Sequence, residues 1–242
     1  MHLTIDIGNT STKAMLFDKD NIKWLRSYKK ISPADLKQLY SQHNIDAAIL
    51  SAVVPVKKNI PLFLRSQSAF IHLNSKTRLP ILNKYKTPQT LGSDRLASVT
   101  GAAKLFPGKN CLVIDAGTCI KYDFITSKKE YLGGSISPGL RMRFRALNNF
   151  TGGLPLIEPK KLKQLVGTST QNSILTGVQN GIVNEINGFI QQYKKQFGSL
   201  KVIISGGDAS FFAGHIKNSI FAAPNLIHIG LHEILIYNVV QS

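Results

Sequence analysis

The sequence has few acidic residues. Thirteen Asp and Glu residues stand against thirty Lys and Arg, which gives a formal net charge of +17 over 242 residues. A field of this sign attracts anions such as nucleotides, nucleic acid or acidic membrane surfaces. The basic residues are scattered and form no long tail, so a well-solvated basic surface is the simpler explanation of the charge.

Other features are missing as well, and each absence argues against a class of protein. No apolar run is long enough to span a bilayer. The two cysteines, Cys111 and Cys119, form neither a CxxC metal motif nor a disulfide framework, which fits a reducing, cytoplasmic compartment. The first predicted strand begins at Met1 or His2, so we expect no signal peptide. Helix-turn-helix, zinc-finger and RRM signatures are also missing.

The pattern of hydrophobic residues predicts an α/β protein. These residues make up 43% of the chain, enough for a sizeable core. Apolar runs predict strands at 2–8, 14–18, 23–28, 47–55, 110–118, 120–125 and near 201–205. Helical spacing predicts helices at 33–43, within 56–66, and at 95–106, 139–148 and 170–197. The chain should close with a strand near 226–229 and a C-terminal helix.

A short motif occurs twice. Asp6-Ile7-Gly8-Asn9-Thr10 and Asp115-Ala116-Gly117-Thr118 each end an apolar strand and open a hairpin. Two such halves predict a duplicated domain with a cleft between the lobes 1–107 and 108–242.

The residues of the first motif suit phosphate chemistry. Gly8 permits close backbone approach, Asn9 and Thr10 add side-chain donors, and Lys13 lies across the hairpin within reach of a phosphate. Asp6 could hold Mg²⁺ directly or through water. A glycine turn beside a partly exposed Asp remains the simpler alternative for either motif alone. The recurrence of the motif favours phosphoryl transfer.

A third motif, Thr90-Leu91-Gly92-Ser93-Asp94-Arg95, lies just before a predicted helix. A carboxylate near a substrate hydroxyl can accept its proton during phosphoryl transfer, and Arg can bind a substrate carboxylate in a bidentate pair. The alternative is an Asp helix cap beside an exposed Arg.

Together these motifs resemble those of one family. With GGSISPGL at 133–140, TSTQNSILTG at 168–177, SGGDA at 205–209 and PNLIHIGL at 224–231, they cover nearly the whole chain. The chain resembles the type III pantothenate kinases, of the superfamily of acetate and sugar kinases, Hsp70 and actin. The resemblance implies a duplicated actin-like (ribonuclease H-like) α/β fold, with two lobes of mixed sheets flanked by helices around a central cleft. It also implies ATP-dependent phosphorylation of the pantothenate primary hydroxyl, the first step of coenzyme A synthesis, by a homodimer.

The resemblance gives roles to the matching positions. Asp94 would be the catalytic base, Asp6 would hold a divalent cation such as Mg²⁺, and Asp115 would hold the K⁺ or NH₄⁺ that is usual in the family. The ATP-binding residues would be Asp6, Ile7, Gly8, Asn9, Thr10, Ser11, Thr12, Lys13 and Thr118. The pantothenate-binding residues would be Tyr85, Gly92, Ser93, Asp94, Arg95 and Thr170.

One position departs from the family pattern. After the second motif the family usually has small or hydroxyl residues, but here Lys121 stands where Thr is common. An ammonium group has the charge of a bound NH₄⁺, so we hypothesise that Lys121 weakens or replaces the monovalent cation beside Asp115 and Asp123. The alternative is that Lys121 points to solvent.

Three other functions stay open at this level. Some proteins that resemble this family are described as transcription accessory factors, and the positive charge is compatible with binding nucleic acid. A kinase of the same superfamily with a sugar or acetate substrate is a second alternative, although the short chain and the LGSDR stretch argue against it. A catalytically inactive paralogue is the third.

Overall fold

The computed structural model describes residues 1–160, 164–216 and 219–239, which form two compact units. The first contains Met1–Gly108, Ile125–Gly133 and the described residues from Asn225 onward, and the second contains the described residues of Lys109–Phe124 and Gly134–Pro224. The division after Gly108 lies next to the expected boundary between 107 and 108. The segments 125–133 and 225 onward group with the N-terminal unit, whereas we expected them in the lobe 108–242.

The first unit is built on a five-stranded sheet. Its strands are β1 (His2–Ile7), β2 (Thr12–Asp18), β3 (Asn21–Tyr28), β4 (Ala47–Ala52) and β5 (Ala69–His72), in the order β3-β2-β1-β4-β5. β1 pairs antiparallel with β2 and parallel with β4. Because parallel strands end at the same edge of a sheet, the residues that close β1 and β4 are neighbours.

Helices cover both faces of this sheet. On one face, α1 (Pro33–Gln42) and α2 (Asn59–Gln67) pack with the strands in a core that includes Leu3, Leu16, Leu36, Leu50 and Leu64. On the other face, α3 (Ser93–Leu105) and α7 (Leu226–Val239) pack with Ala47 and Ile49 of β4. Side chains alternate along a strand, so Thr4 and Asp6 of β1 also lie on this second face.

The predicted strand at 226–229 is wrong, since these residues begin α7. α7 contacts α3, β1 and β4, so most of its surface is buried and its sequence lacks the polar stripe of an exposed helix. Periodicity alone does not distinguish such a segment from a buried strand. Gly101 and Gly230 let the helices meet, because a Cβ on Gly230 would overlap the backbone carbonyl of Ala97.

The second unit contains most of a six-stranded sheet, in the order β11-β10-β7-β8-β9-β6. Its strands are β6 (Leu82–Asn83), β7 (Cys111–Ala116), β8 (Cys119–Ile125), β9 (Glu130–Pro138), β10 (Lys201–Ser205) and β11 (Phe221–Ala222). β6 pairs with Glu130 and Tyr131, the part of β9 that belongs to the first unit. The helices are α4 (Leu140–Asn149), α5 (Thr170–Phe197) and α6 (Ala209–Ala213). Leu112, Ile114, Leu175 and Ile182 are members of one buried core.

Candidate functional site

The turn after β1 presents polar groups beside a carboxylate. The backbone N–H of Gly8 donates to the carbonyl of Ser11 at 3.0 Å, which closes the turn. Asn9, Thr10 and Ser11 are exposed, whereas Thr12 is buried as the first residue of β2. Asp6 lies directly opposite Lys13 in the β1–β2 pair, and both are half-buried. The predicted phosphate turn therefore combines exposed donors with one carboxylate and one ammonium group.

A chain of hydroxyl groups joins Asp6 to the start of α3. Ser51, the register partner of Asp6 on β4, donates to the Asp6 carboxylate at 3.0 Å. The Ser51 hydroxyl also lies 3.0 Å from that of Ser93, the first residue of α3. Ser51 gives its one proton to Asp6, and the single proton of the Ser93 hydroxyl is shared between the Ser51 oxygen and the backbone carbonyl of Ala52, which lies 3.2 Å away. Both serines are buried, so the chain of hydrogen bonds is shielded from water.

The start of α3 holds the predicted catalytic base, Asp94, and the predicted substrate-binding residue Arg95. Gly92 is the N-cap, and Asp94 lies in the first turn, where its carboxylate accepts the backbone N–H of Arg95 at 2.8 Å. Asp94 is half-buried, and Arg95 is only 5% exposed. A carboxylate at a helix N-terminus is favoured by the helix dipole. Asp94 and Arg95 are thus fixed beside Ser93 by the helix itself.

Tyr85 lies against Arg95. The Arg95 guanidinium carbon is 5.5 Å from the centre of the Tyr85 ring, within the range of a cation–π contact. The structure therefore brings Tyr85 together with the Gly92–Arg95 segment, as the resemblance implied, and it links that segment to Asp6 through Ser51. Ser51 itself was missed by sequence reasoning. Ser51 becomes a neighbour of Asp6 only when β1 and β4 are paired in this register, which the sequence alone does not specify.

In the second unit, Asp115 and Lys121 form an ion pair. Lys121 Nζ lies 2.6 Å from Asp115 Oδ2, and the two side chains are 16% and 12% exposed. The alternative that Lys121 points to solvent is therefore wrong. Asp123, two residues further along β8, is buried. Removing one partner of a buried ion pair leaves an uncompensated buried charge, which destabilises the fold. Asp115 and Lys121 therefore each compensate the charge of the other.

Two other predicted residues are exposed. Thr118 lies in the turn between β7 and β8, and Thr170 is the first residue of α5. Ser169 caps this helix and accepts the backbone N–H of Asn172 at 3.3 Å. The two threonine side chains are thus accessible to a ligand.

Sequence reasoning also missed a cluster around Glu185 of α5. Its carboxylate accepts hydrogen bonds from Tyr122, Ser137 and Arg143, and so joins β8, β9 and α4 to α5. Burial acts to raise the pKa of Glu185, but the three hydrogen bonds outweigh it and hold the pKa below its usual value. Nothing in the spacing of these residues indicates that they meet.

The described residues form no cluster of side chains that would bind a metal ion by themselves. Within residues 1–160, 164–216 and 219–239, no group of three or more His, Cys, Asp or Glu side chains could hold a metal ion together. Mg²⁺ in phosphoryl transfer often takes one or two carboxylates and completes its shell with phosphate and water oxygens. Asp6, as one half-buried carboxylate beside the phosphate turn, fits such an ion.

No helix among the described residues combines the length and apolar character needed to cross a membrane.

The comparison with known proteins agrees with these observations. A family model described as type III pantothenate kinase matches residues 2–192. A type III pantothenate kinase from Christiangramia forsetii is 42% identical over 243 residues, with 100% of each chain covered.

Solved structures show a similar fold at low sequence identity. A Campylobacter jejuni protein assigned to the Baf family of transcriptional activators has a TM-score of 0.63 and 20% identity, with 98% of each chain covered. A Sinorhizobium meliloti protein assigned as a 2-dehydro-3-deoxygalactonokinase has a TM-score of 0.62 and 12% identity, with 99% of each chain covered. At these identities the likeness concerns the fold alone, and it confirms the expected actin-like α/β class.

The family model, the relative that matches from end to end, and the motifs at Asp6, Asp94 and Asp115 lead to one conclusion: the chain belongs to the type III pantothenate kinase family and is a kinase.

Proposed function

We propose that this chain transfers the γ-phosphoryl group of ATP directly to the primary hydroxyl of pantothenate, the first step of coenzyme A synthesis. A bond forms between the hydroxyl oxygen and the γ-phosphorus, and the bond from that phosphorus to the bridging oxygen breaks, which leaves ADP. The hydroxyl proton passes to Asp94. The observation that best supports this proposal is the buried hydrogen-bond chain from Asp6 through Ser51 to Ser93, next to Asp94.

The turn after β1 would bind the ATP phosphates. The residues 6–13 supply backbone N–H groups, hydroxyl groups and the Lys13 ammonium, all of which suit phosphate oxygens. Asp6 would hold the divalent cation, which neutralises charge on the phosphates during transfer. The family resemblance also assigns Thr118, which is exposed in the turn between β7 and β8, to ATP.

Pantothenate would bind at the start of α3. It carries a carboxylate and hydroxyl groups, which match the donors of Arg95 and the acceptor oxygens of Asp94. Tyr85, Gly92 and Ser93 would line the same pocket. The family resemblance also assigns Thr170, the first residue of α5, to pantothenate. The homodimer and the cytoplasmic location remain predictions from the family resemblance and the low cysteine content.

The monovalent cation is the point on which this chain should differ from its family. Asp115 would hold K⁺ or NH₄⁺ in the family pattern, and here the Lys121 ammonium lies 2.6 Å from its carboxylate. We propose that Lys121 supplies the positive charge in place of the ion.

The first experiment is to measure ADP release from purified protein with MgATP, with and without pantothenate. Release that depends on pantothenate, with a phosphorylated product of the expected mass, would support the proposed function. A sugar or acetate in place of pantothenate tests the other kinase substrates. No release with any of these substrates would contradict the proposal and favour the inactive or nucleic-acid-binding alternatives, for which salt-dependent DNA binding is the next measurement.

A further inference from the structure

Tyr85 lies outside any helix or strand, so something other than regular structure must fix its ring. Its backbone N–H is held by the Asn83 side chain at 3.0 Å. The neighbouring Lys84 N–H donates to the carbonyl of Tyr131 on β9 at 3.0 Å. These bonds hold the backbone of Tyr85 next to the first half of β9, where Tyr131 and Gly133 lie.

The Tyr85 ring is held by β9. It stacks on the buried ring of Tyr131, with centroids 6.1 Å apart and the planes within 12°. Gly133 provides the room, because a Cβ there would lie 3.1 Å from Tyr85 Cδ2. Gly133 also has φ +107°, a conformation that other residues rarely adopt. A side chain at 133 would therefore push the Tyr85 ring away or distort the strand.

The same Tyr85 ring contacts the Arg95 guanidinium. An aromatic ring in contact with a guanidinium restricts the orientations that the guanidinium can take, and so the directions in which its N–H groups can donate to a carboxylate. The orientation of the Tyr85 ring thus bears on the direction in which Arg95 offers its donors.

We propose that Tyr131 and Gly133 are positioning residues for substrate binding, which set the Tyr85 ring against Arg95 and so determine the affinity for a carboxylate-bearing substrate. This inference rests on the proposed function, because it assumes that Arg95 binds the pantothenate carboxylate. Neither residue touches the reacting atoms, and their effect should pass through Tyr85.

The experiment measures KM for pantothenate, KM for ATP and kcat in Gly133→Ala, Tyr131→Leu and Tyr131→Phe. We expect the first two to raise KM for pantothenate about tenfold, the size of a lost cation–π contact, with KM for ATP within about twofold of the parent. Tyr131→Phe keeps the aromatic ring, so its KM for pantothenate should equal that of the parent. Gly108→Ala is the matched control, since Gly108 also has a positive φ, of +69°, but a Cβ added there would have no other atoms within 4 Å.

A double-mutant cycle then tests the route through Tyr85. In a Tyr85→Ala background, Gly133→Ala should raise KM for pantothenate no further. An equal rise in both backgrounds, or an unchanged KM in Gly133→Ala and Tyr131→Leu, would overturn the inference while leaving the proposed function intact. A parent enzyme that does not turn over pantothenate would overturn both. If Gly133→Ala does not fold, the Tyr131 pair of variants decides.

Discussion

Lys121 Nζ lies 2.6 Å from Asp115 Oδ2, with both side chains largely buried. The ion pair puts a fixed ammonium group beside the carboxylate to which our proposal would otherwise assign a monovalent cation. A covalently attached charge cannot be removed by dialysis, so a requirement for added cation should be absent or weak.

The first prediction follows from this pair. The parent enzyme should turn over at similar rates in Na⁺ and K⁺ buffers, whereas Lys121→Thr should lose at least about tenfold in Na⁺ and recover with K⁺ or NH₄⁺, because Asp115 is then left without a buried partner. The measurement is ADP release in each buffer, with the melting temperature as a second readout. Lys23→Thr, at an exposed strand position, is the control. Parent activity that is abolished without K⁺ or NH₄⁺ and restored by either would contradict the replacement of the ion by Lys121.

The second prediction concerns Asp94. Asp94→Asn should keep the fold and the affinity for nucleotide but lose at least about 100-fold in kcat, because an amide does not accept the hydroxyl proton. Single-turnover kinetics with saturating ATP and pantothenate measure the loss, and calorimetry with MgADP checks nucleotide binding. Asp18→Asn removes a charge from an exposed strand end and should leave kcat unchanged. Near-normal turnover in Asp94→Asn would remove Asp94 from the role of base.

The sequence was sufficient to predict the strands and helix around the motifs. The strand that contains Asp6 alternates apolar and polar residues, and the strand that contains Asp115 is mainly apolar. Each is followed by a glycine turn, and α3 follows a clear turn motif, so local pattern and tertiary structure agree there. β9 was not predicted, since Gly133, Gly134 and Pro138 are all unfavourable in strands. The need for glycine at position 134 is visible only in the fold, because a Cβ there would overlap the backbone carbonyl of Tyr122.

Parts of the candidate site could not be predicted for a different reason. Ser51 and Tyr131 carry no motif and act through partners that are distant in sequence, Asp6 for the one and Tyr85 for the other. Such contacts depend on strand register and on the close approach of backbone segments. The pattern of residues in a single sequence does not specify either feature.

The third prediction tests the close approach of α3 and α7. Gly230→Ala should lower the free energy of unfolding by about 3 kcal/mol or more, because the new methyl group overlaps the Ala97 carbonyl and the helices must separate. Gly181→Ala in α5 is the matched control, since Gly181 is exposed and a Cβ added there would have no other atoms within 4 Å. It should raise stability by about 1 kcal/mol through helix propensity. Urea denaturation of both variants gives the two values. A neutral Gly230→Ala would show that the helices are not in backbone contact.

The fourth prediction concerns two histidines that α7 buries against the sheet. His228 lies 2.8 Å from the Thr4 hydroxyl through Nδ1, and among the described residues its Nε2 has no hydrogen-bond partner. His232 stacks on Phe17. Burial, and secondarily the charge of Lys13, lowers the pKa of His228 to about 3. Burial, with the charge of His2 next in size, lowers the pKa of His232 to about 4.

Stability should therefore fall as the pH drops below 6.5. Below pH 6.5 the unfolded chain binds protons at these two positions and the folded chain does not. Each histidine should therefore lower the free energy of unfolding by about 2 kcal/mol at pH 5. The loss continues until the pH reaches the folded pKa, near 4 or 3.

His228→Asn should reduce the dependence of the unfolding free energy on pH by about 1.4 kcal/mol per pH unit between pH 6 and 4.5. Thr4→Val is the matched control, since it removes the hydrogen bond but keeps the buried imidazole, and it should retain the steep dependence. The measurement is urea denaturation across this pH range. An unchanged slope in His228→Asn would show that the His228 imidazole is protonated inside the fold, and that burial does not keep it neutral.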